Sequence, residues 1–363
     1  MTRVSSPQEL LSQLVSVPSP SGEEQAIFER TAELCETLGL VPERIGDSLL
    51  IRVGSGETRI LLNSHYDTVP VGLGWEGDPF NATWRDGKLV ARGANDAKSS
   101  VAAMLWAASQ LVQRKDELAG ELIVAITAQE ETKNTGMSDV LNAIGMPDLA
   151  VTGEPTGLEV VRAQSGLAIL VAEWSGKSCH AAHVAHVDNH NALHAACKEI
   201  AGMSASLRLP DEHSLLGIST IAPTVLRSGD RHNTIPDEAS LVFDARLAPP
   251  YTGEDCREFL AELLPTAKIR CRSDRLRARE TEESHALVQC GLRAAGKQQA
   301  IGSRTLSDMA LLAGVPAIKC GPGETARSHT ANEWVTEAEL LAGCQFYESL
   351  VPAALAACQS VRS

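Results

Sequence analysis

Four short apolar runs, each ending abruptly in polar or turn-forming residues, constrain this chain most. They are RILLNSHYD (59–67), ELIVAITAQEE (121–131), DLAVTGEP (148–155) and PAIKCGPG (316–323). Each reads as a buried strand of a parallel sheet. Between the first two, Val101, Met104, Leu105, Ala108, Leu111 and Val112 recur at helical spacing. Strands alternating with helices predict an α/β fold with a parallel-rich sheet.

Residues 167–276 have another rhythm. The pattern predicts strand (167–174), helix (189–203), strand (217–226), strand (239–247), helix (254–264) and strand (267–273). That order is the split βαβ, ferredoxin-like pattern. The chain is therefore expected to form an α/β domain from 1–166 and 277–363, interrupted by a small α+β domain over 167–276.

The bulk numbers mainly exclude. The 363 residues suffice for two domains. A net charge of −14 argues against nucleic acid and anionic membranes as partners. No apolar stretch reaches roughly 18 residues, so no membrane-spanning helix is expected. The N-terminus lacks the continuous apolar segment of a signal peptide. The nine cysteines are scattered with no CxxC pair, which fits reduced thiols and a cytoplasmic location.

The chemistry gathers at strand ends. His65 and Asp67 close the first run, Glu130 and Glu131 the second, and Glu154 the third. Asp96 precedes the first internal helix, in ARGANDAKSS, and His329 follows the last run, in GPGETARSHTANEW. Ligands of open α/β sheets bind beyond the carboxyl ends of the strands, so all seven can converge there. Carboxylates with two histidines suit a divalent metal, and mixed N/O ligation suits zinc. Taken singly, each has a plainer reading: a surface HxD pair, an acidic residue at a helix start, a solvated Glu–Glu loop, a turn before Pro155. Their recurrence after four strand ends favours a site. The adjacent carboxylates Glu130 and Glu131 pose the sharpest question, because two ionised neighbours repel.

The order and spacing of NSHYDTVP, ARGANDAKSS, TAQEET, TGEPT, GKSCHAAHVAHVDNHNAL, NTIPDEASLVFDARL and GPGETARSHTANE resemble peptidase family M20, the dinuclear zinc hydrolases, over nearly the whole chain. The resemblance implies a zinc-binding α/β domain with an inserted lid domain. By motif, His65 and Glu154 hold one metal, Glu131 and His329 the second, and Asp96 bridges them. Glu130 is the general base, and Asp67 orients His65. His180 stabilises the oxyanion, in dimeric members within the partner's active site. Asn233 and Arg246 grip the substrate carboxylate, and Gly323 lies near the substrate. Plainer readings stay open for the inserted segment. His180 is one of several histidines with His183, His186, His190 and His194; His186 is a secondary candidate. Arg246 could pair with Asp244, and Asn233 could be a turn residue. Ser99 and Cys179 depart from the usual small residues without touching a ligand position. Ser307–Asp308 reads as a cap on the following helical segment.

The resemblance implies a metal-dependent amidohydrolase that removes an acyl group from an N-acyl amino acid. Two divalent ions serve it, Zn²⁺ first and Co²⁺ as the alternative. An acetylornithine deacetylase-like role in arginine biosynthesis leads. Succinyl-diaminopimelate desuccinylase, another N-acyl-amino-acid deacylase, and a dipeptidase or carboxypeptidase are the alternatives, with short peptides as substrates in the last case. A non-catalytic metal-dependent binding protein is the reading from another class; the intact Glu130 position speaks against it. A homodimer through the inserted domain is expected, with hinges near Gly166 and residues 274–280.

Overall fold

The computed structural model describes residues 4–362. In chain order the strands used below are β1 (Glu43–Ile45), β2 (Ser48–Gly54), β3 (Arg59–His65), β4 (Glu121–Thr127), β5 (Leu149–Thr152), β6 (Gly166–Ser175), β7 (Leu207–His213), β8 (Gly217–Ser228), β9 (Glu238–Leu247), β10 (Lys268–Leu276) and β11 (Ala317–Lys319). The helices are α1 (Pro7–Val15), α2 (Gln25–Thr37), α3 (Lys98–Leu111), α4 (Thr135–Ile144), α5 (Ala192–Ile200), α6 (Gly253–Leu263), α7 (Ala286–Ala295) and α8 (Glu337–Arg362). Two compact units result. The first runs to Arg162 and resumes over Glu280–Ile301 and from Ser307; the second is Ala163–Arg279 with Gly302–Leu306. These borders lie a few residues from 166/167 and 276/277, and a short returning segment joins the second unit.

In the first unit the strands run β1-β2-β4-β3-β5-β11 across the sheet. The four apolar runs supply β3, β4, β5 and β11, and all pair in parallel. β1 and β2 add an antiparallel edge that the sequence pattern did not single out. Residues of β3 and β4 are buried on both faces, which explains their unbroken apolar character. One face packs on α1, α3, α7 and α8; the other packs on α4 and the 308–312 turn. Alanines 102, 103, 107 and 108 let α3 be buried almost all round.

Helix α8 is longer than any apolar run read from the sequence. Its stretch Glu337–Gln359 is long and apolar enough to cross a membrane by length and composition. In this fold Leu340, Phe346, Tyr347, Leu350 and Val351 lie in the core instead. Scattered glutamates break the apolar run in the sequence, and helical geometry gathers the apolar residues onto one side.

The second unit is an antiparallel sheet in the order β7-β8-β9-β6-β10. Burial alternates along β9, so one face of it is covered. Ala196 of α5 and Cys256 and Leu260 of α6 belong to the core that Leu170, Leu241 and Phe243 form from the sheet. The sequence pattern missed β7. Only Leu207 and Leu209 of it are buried, and Pro210, Asp211 and Glu212 mask the strand signal.

Gly153, just after β5, shows how tightly the first unit closes around its strand ends. A Cβ there would lie 2.5 Å from Met104 Cε and 2.8 Å from the Tyr347 hydroxyl. Gly153→Ala is therefore expected to cost about 1–3 kcal/mol through overpacking. Urea unfolding measures it, and an unchanged midpoint would show that the helices give way freely.

Candidate metal centre

The carboxyl ends of β3, β4 and β5 bring the expected side chains of the first unit together. His65, the last residue of β3, is buried. Its Nε2 lies 3.4 Å from Asp96 Oδ1 and 4.0 Å from Glu154 Oε1. The other Asp96 oxygen lies 3.6 Å from His329 Nε2, which is 3.0 Å from Glu131 Oε1. Asp96 thus turns one oxygen to each histidine. Ligand atoms of His65, Asp96 and Glu131 all fall within 4.8 Å of one another. The exposed His329 reaches the cluster from a loop, with a left-handed φ of 62°.

The Glu130–Glu131 pair is held apart by its backbone. Gln129 takes a left-handed φ of 58°, and its carbonyl accepts the N–H groups of Lys133 and Asn134 at 3.0 and 2.6 Å. In this tight turn both glutamate N–H groups donate to one carboxylate. Asp67 Oδ1 accepts from Glu130 at 3.1 Å, and Oδ2 accepts from Glu131 at 3.2 Å. Ser21 Oγ donates to the same Oδ2 at 2.6 Å. Glu131 then reaches His329, while the Glu130 carboxylate lies beside Asn134.

This alters the reading of Asp67. His65 Nδ1 sits 3.0 Å from the Asp67 carbonyl and 3.6 Å from its carboxylate. A carbonyl only accepts, so Nδ1 donates to it, and Nε2 is aimed at Asp96. The main chain of Asp67 sets the imidazole tautomer, and its side chain organises the two glutamates.

A second cradle lay hidden in the sequence. Glu333 is fully buried and accepts the N–H groups of Asp96 at 2.7 Å, Asn95 at 2.8 Å and Gly93 at 3.1 Å. Arg92 Nη1 donates to it at 2.7 Å. These bonds fix the loop that carries Asp96. Only its place four residues after His329 could have flagged it. Gly323 is buried against the same loop, where a Cβ would stand 2.3 Å from Asn95 Oδ1. Its φ of 82° also favours glycine, so it serves close backbone packing.

Electrostatics show what the cluster lacks. Burial, with Asp96 and Glu131 nearby, pushes Glu154 up to about 8 despite the opposing pull of His65 and Lys319. Burial also lifts Glu130 well above the ordinary carboxylate range, helped by Glu154, Asp308 and Glu131 and opposed by His65. Burial pushes Asp96 up, but the bond to and charge of His65, with Ser328 and His329, together hold it below that range. Burial works against charge on His65, yet Asp67 and Asp96 hold its pKa well above the usual value. Lys319, the buried last residue of β11, is pushed down by burial against the pull of Glu154, Glu130 and Asp96. Crowded oxygens around two imidazoles are a donor set that divalent cations satisfy. The residues present therefore fit a two-metal centre: His65 and Glu154 on one side of Asp96, Glu131 and His329 on the other.

Three expected site residues and the secondary candidate lie in the second unit. His180 is exposed, and its Nδ1 accepts the Ala182 N–H at 3.1 Å. The Asn233 carbonyl accepts the Ala181 N–H at 2.9 Å, which makes His180 and Asn233 neighbours. His186 is exposed on the same loop. Arg246 donates from Nε and Nη2 to Asp244 at 2.7 and 3.1 Å, so the plainer pairing is present.

The profile of Peptidase family M20/M25/M40 matches residues 61–353. The chain belongs to this family. Among curated M20 relatives, it is 28% identical to the acetylornithine deacetylase of Proteus mirabilis over 354 residues, covering 90% of this chain and 91% of that one. It is 27% identical to that of Erwinia tasmaniensis over 360 residues, covering 91% and 93%. The fold matches aminopeptidase PepT of Bacillus cereus with a TM-score of 0.73 at 21% identity, over 96% of this chain and 98% of that one. It matches YXEP of Bacillus subtilis, a dinuclear metal binding peptidase of the M20 family, at 0.74 and 15%, over 97% and 98%. This M20 protein is a hydrolase acting on amide bonds.

Glu333→Ala would strand buried Arg92 and three backbone donors. A loss of about 3–5 kcal/mol is expected, as for breaking a buried ion pair. Chemical denaturation of the purified variant checks it, and a loss below about 1 kcal/mol would remove Glu333 from this role.

Proposed function

We propose that the protein removes the acyl group from an N-acyl amino acid, with N-acetylornithine as the leading substrate and arginine biosynthesis as its setting. The observation that carries the hydrolytic reading is the division of the strand-end carboxylates. Asp96 faces both histidines, Glu131 and Glu154 each attend one, and Glu130 is left without a histidine partner. The substrate reading is supported by the acetylornithine deacetylase relatives, which align along nearly the whole chain.

His65, Glu154, Asp96, Glu131 and His329 would hold two divalent ions. Zinc is the first choice for mixed nitrogen and oxygen donors, and cobalt the alternative. Bound ions would polarise the acyl carbonyl and make water acidic near neutral pH. Glu130 accepts the proton of the attacking water and returns it to the departing nitrogen. Burial, and then the nearby Glu154 and Asp308, favour its proton uptake. In the second unit this reading gives His180 the oxyanion, and gives Asn233 and Arg246 the substrate carboxylate. It also carries a cytoplasmic homodimer paired through the second unit, which sedimentation checks.

A substrate panel with added Zn²⁺ or Co²⁺ tests the assignment. It holds N-acetylornithine, N-acetylcitrulline, N-succinyl-diaminopimelate and dipeptides. Fastest turnover is expected on N-acetylornithine, and cleavage confined to dipeptides would overturn it. Glu130→Ala should keep its metal and lose about 10²–10⁴-fold in kcat. His329→Ala should bind less metal, and His180→Ala should keep metal while turning over more slowly. Loss of metal from Glu130→Ala would make Glu130 a ligand instead.

A further inference from the structure

Helix α4 begins with an anomaly. Asn134 occupies its N-cap position, where asparagine ordinarily turns its side chain onto the first free N–H groups of the helix. It makes no such bond here. Its amide nitrogen instead donates to the Glu130 carbonyl at 3.1 Å and to Asp308 Oδ1 at 3.1 Å, and lies 3.5 Å from Glu130 Oε1. The backbone is equally committed. Asn134 takes a left-handed φ of 52°, and its N–H donates to Gln129.

Asp308 supplies the other end. The sequence reading made it a cap with Ser307, yet no side-chain cap forms there, and Asp308 is 1% exposed. Its Oδ2 accepts Thr127 Oγ1 at 2.9 Å and Asn63 Nδ2 at 3.3 Å. Thr127 ends β4, and Asn63 stands two residues before His65 on β3. One buried carboxylate therefore ties together the strand ends that deliver His65 and Glu130. The direct donors are a hydroxyl and two amides, and His65 is the cation that offsets part of its burial. A side chain serving packing alone would be apolar, because a buried carboxylate is unfavourable without a purpose. An acceptor at position 308 also decides which way the Asn134 amide faces. Its NH₂ must point to Asp308, and its second hydrogen then binds the Glu130 carbonyl, with Glu130 Oε1 3.5 Å away.

We propose that Asp308 and Asn134 are positioning residues for hydrolysis: Asp308 orients the Asn134 amide, and Asn134 pins the Glu130 carbonyl, which sets where the neighbouring Glu130 carboxylate accepts the proton. The proposal rests on Glu130 as the base. Neither residue has a substrate role in the proposed function, and neither bonds His329, so both should act on turnover and not on binding.

Turnover of N-acetyl-L-ornithine, bound metal and crystal structures of Asn134→Ala, Asp308→Asn and Glu130→Gln test it. Asn134→Ala and Asp308→Asn should lower kcat by about 10–100-fold, the scale of a misplaced catalytic group, with KM within about twofold and metal content unchanged. In the Glu130→Gln background, adding Asn134→Ala should change kcat by less than about twofold, because the group it positions is gone. In the crystal structure of Asn134→Ala, the Glu130 carboxylate should leave its place beside residue 134. An unmoved Glu130 carboxylate, a wild-type kcat in Asn134→Ala, or an equal loss in both backgrounds would overturn the relay. Wild-type turnover by Glu130→Gln would instead overturn the base assignment, while the position of Glu130 in the Asn134→Ala crystal still judges the tie by itself.

Discussion

Carboxylates repel one another, and burial makes the repulsion worse by removing the water that screens it. This protein gathers Asp96, Glu130, Glu131 and Glu154 at the ends of adjacent parallel strands. Much of the surrounding structure holds these groups where they would not settle alone. Burial first, and then the nearby Asp96 and Glu131, raise Glu154 to about 8. A centre built this way is incomplete without positive charge, and two imidazoles and one buried lysine do not supply enough. Membership of a family that includes dinuclear metal peptidases follows the same physical logic.

The holding is done largely by backbone amides. Asp67 collects the N–H groups of Glu130 and Glu131, and Glu333 collects those of Gly93, Asn95 and Asp96. Each cradle is a buried carboxylate that serves no metal itself. Such bonds are charge-assisted: each cradle carboxylate accepts main-chain N–H groups of the segment that carries the site acids, and so fixes their backbone. The Asp67 cradle also explains how adjacent glutamates take different tasks. With both amides pinned and Gln129 left-handed, the two side chains diverge, one toward His329 and the other toward Asn134.

The sheet was legible from sequence because parallel strands covered on both faces must be apolar throughout and must stop where the polar chemistry begins. The two helices of the second unit were legible from their periodicity. β1 is a short edge strand of three residues, and β7 was masked by Pro210 and its acidic neighbours. The membrane-competent composition of α8 was missed because glutamates interrupt its apolar face in sequence but not in space.

Sequence alone was enough to name the acids and histidines of the centre, since their residue types and their places after strand ends follow from what a divalent ion requires. It also carried the family, through motifs whose order is tied to the order of the strands. It could not show that His65 leans on the Asp67 carbonyl, that Glu333 grips the Asp96 loop, or that Asp308 reaches Asn134. Those contacts join residues from 2 to 240 positions apart, and no local pattern records which partner a buried polar group finds. Folding made that choice, because every buried donor and acceptor must be satisfied by whatever the packed sheet brings within reach.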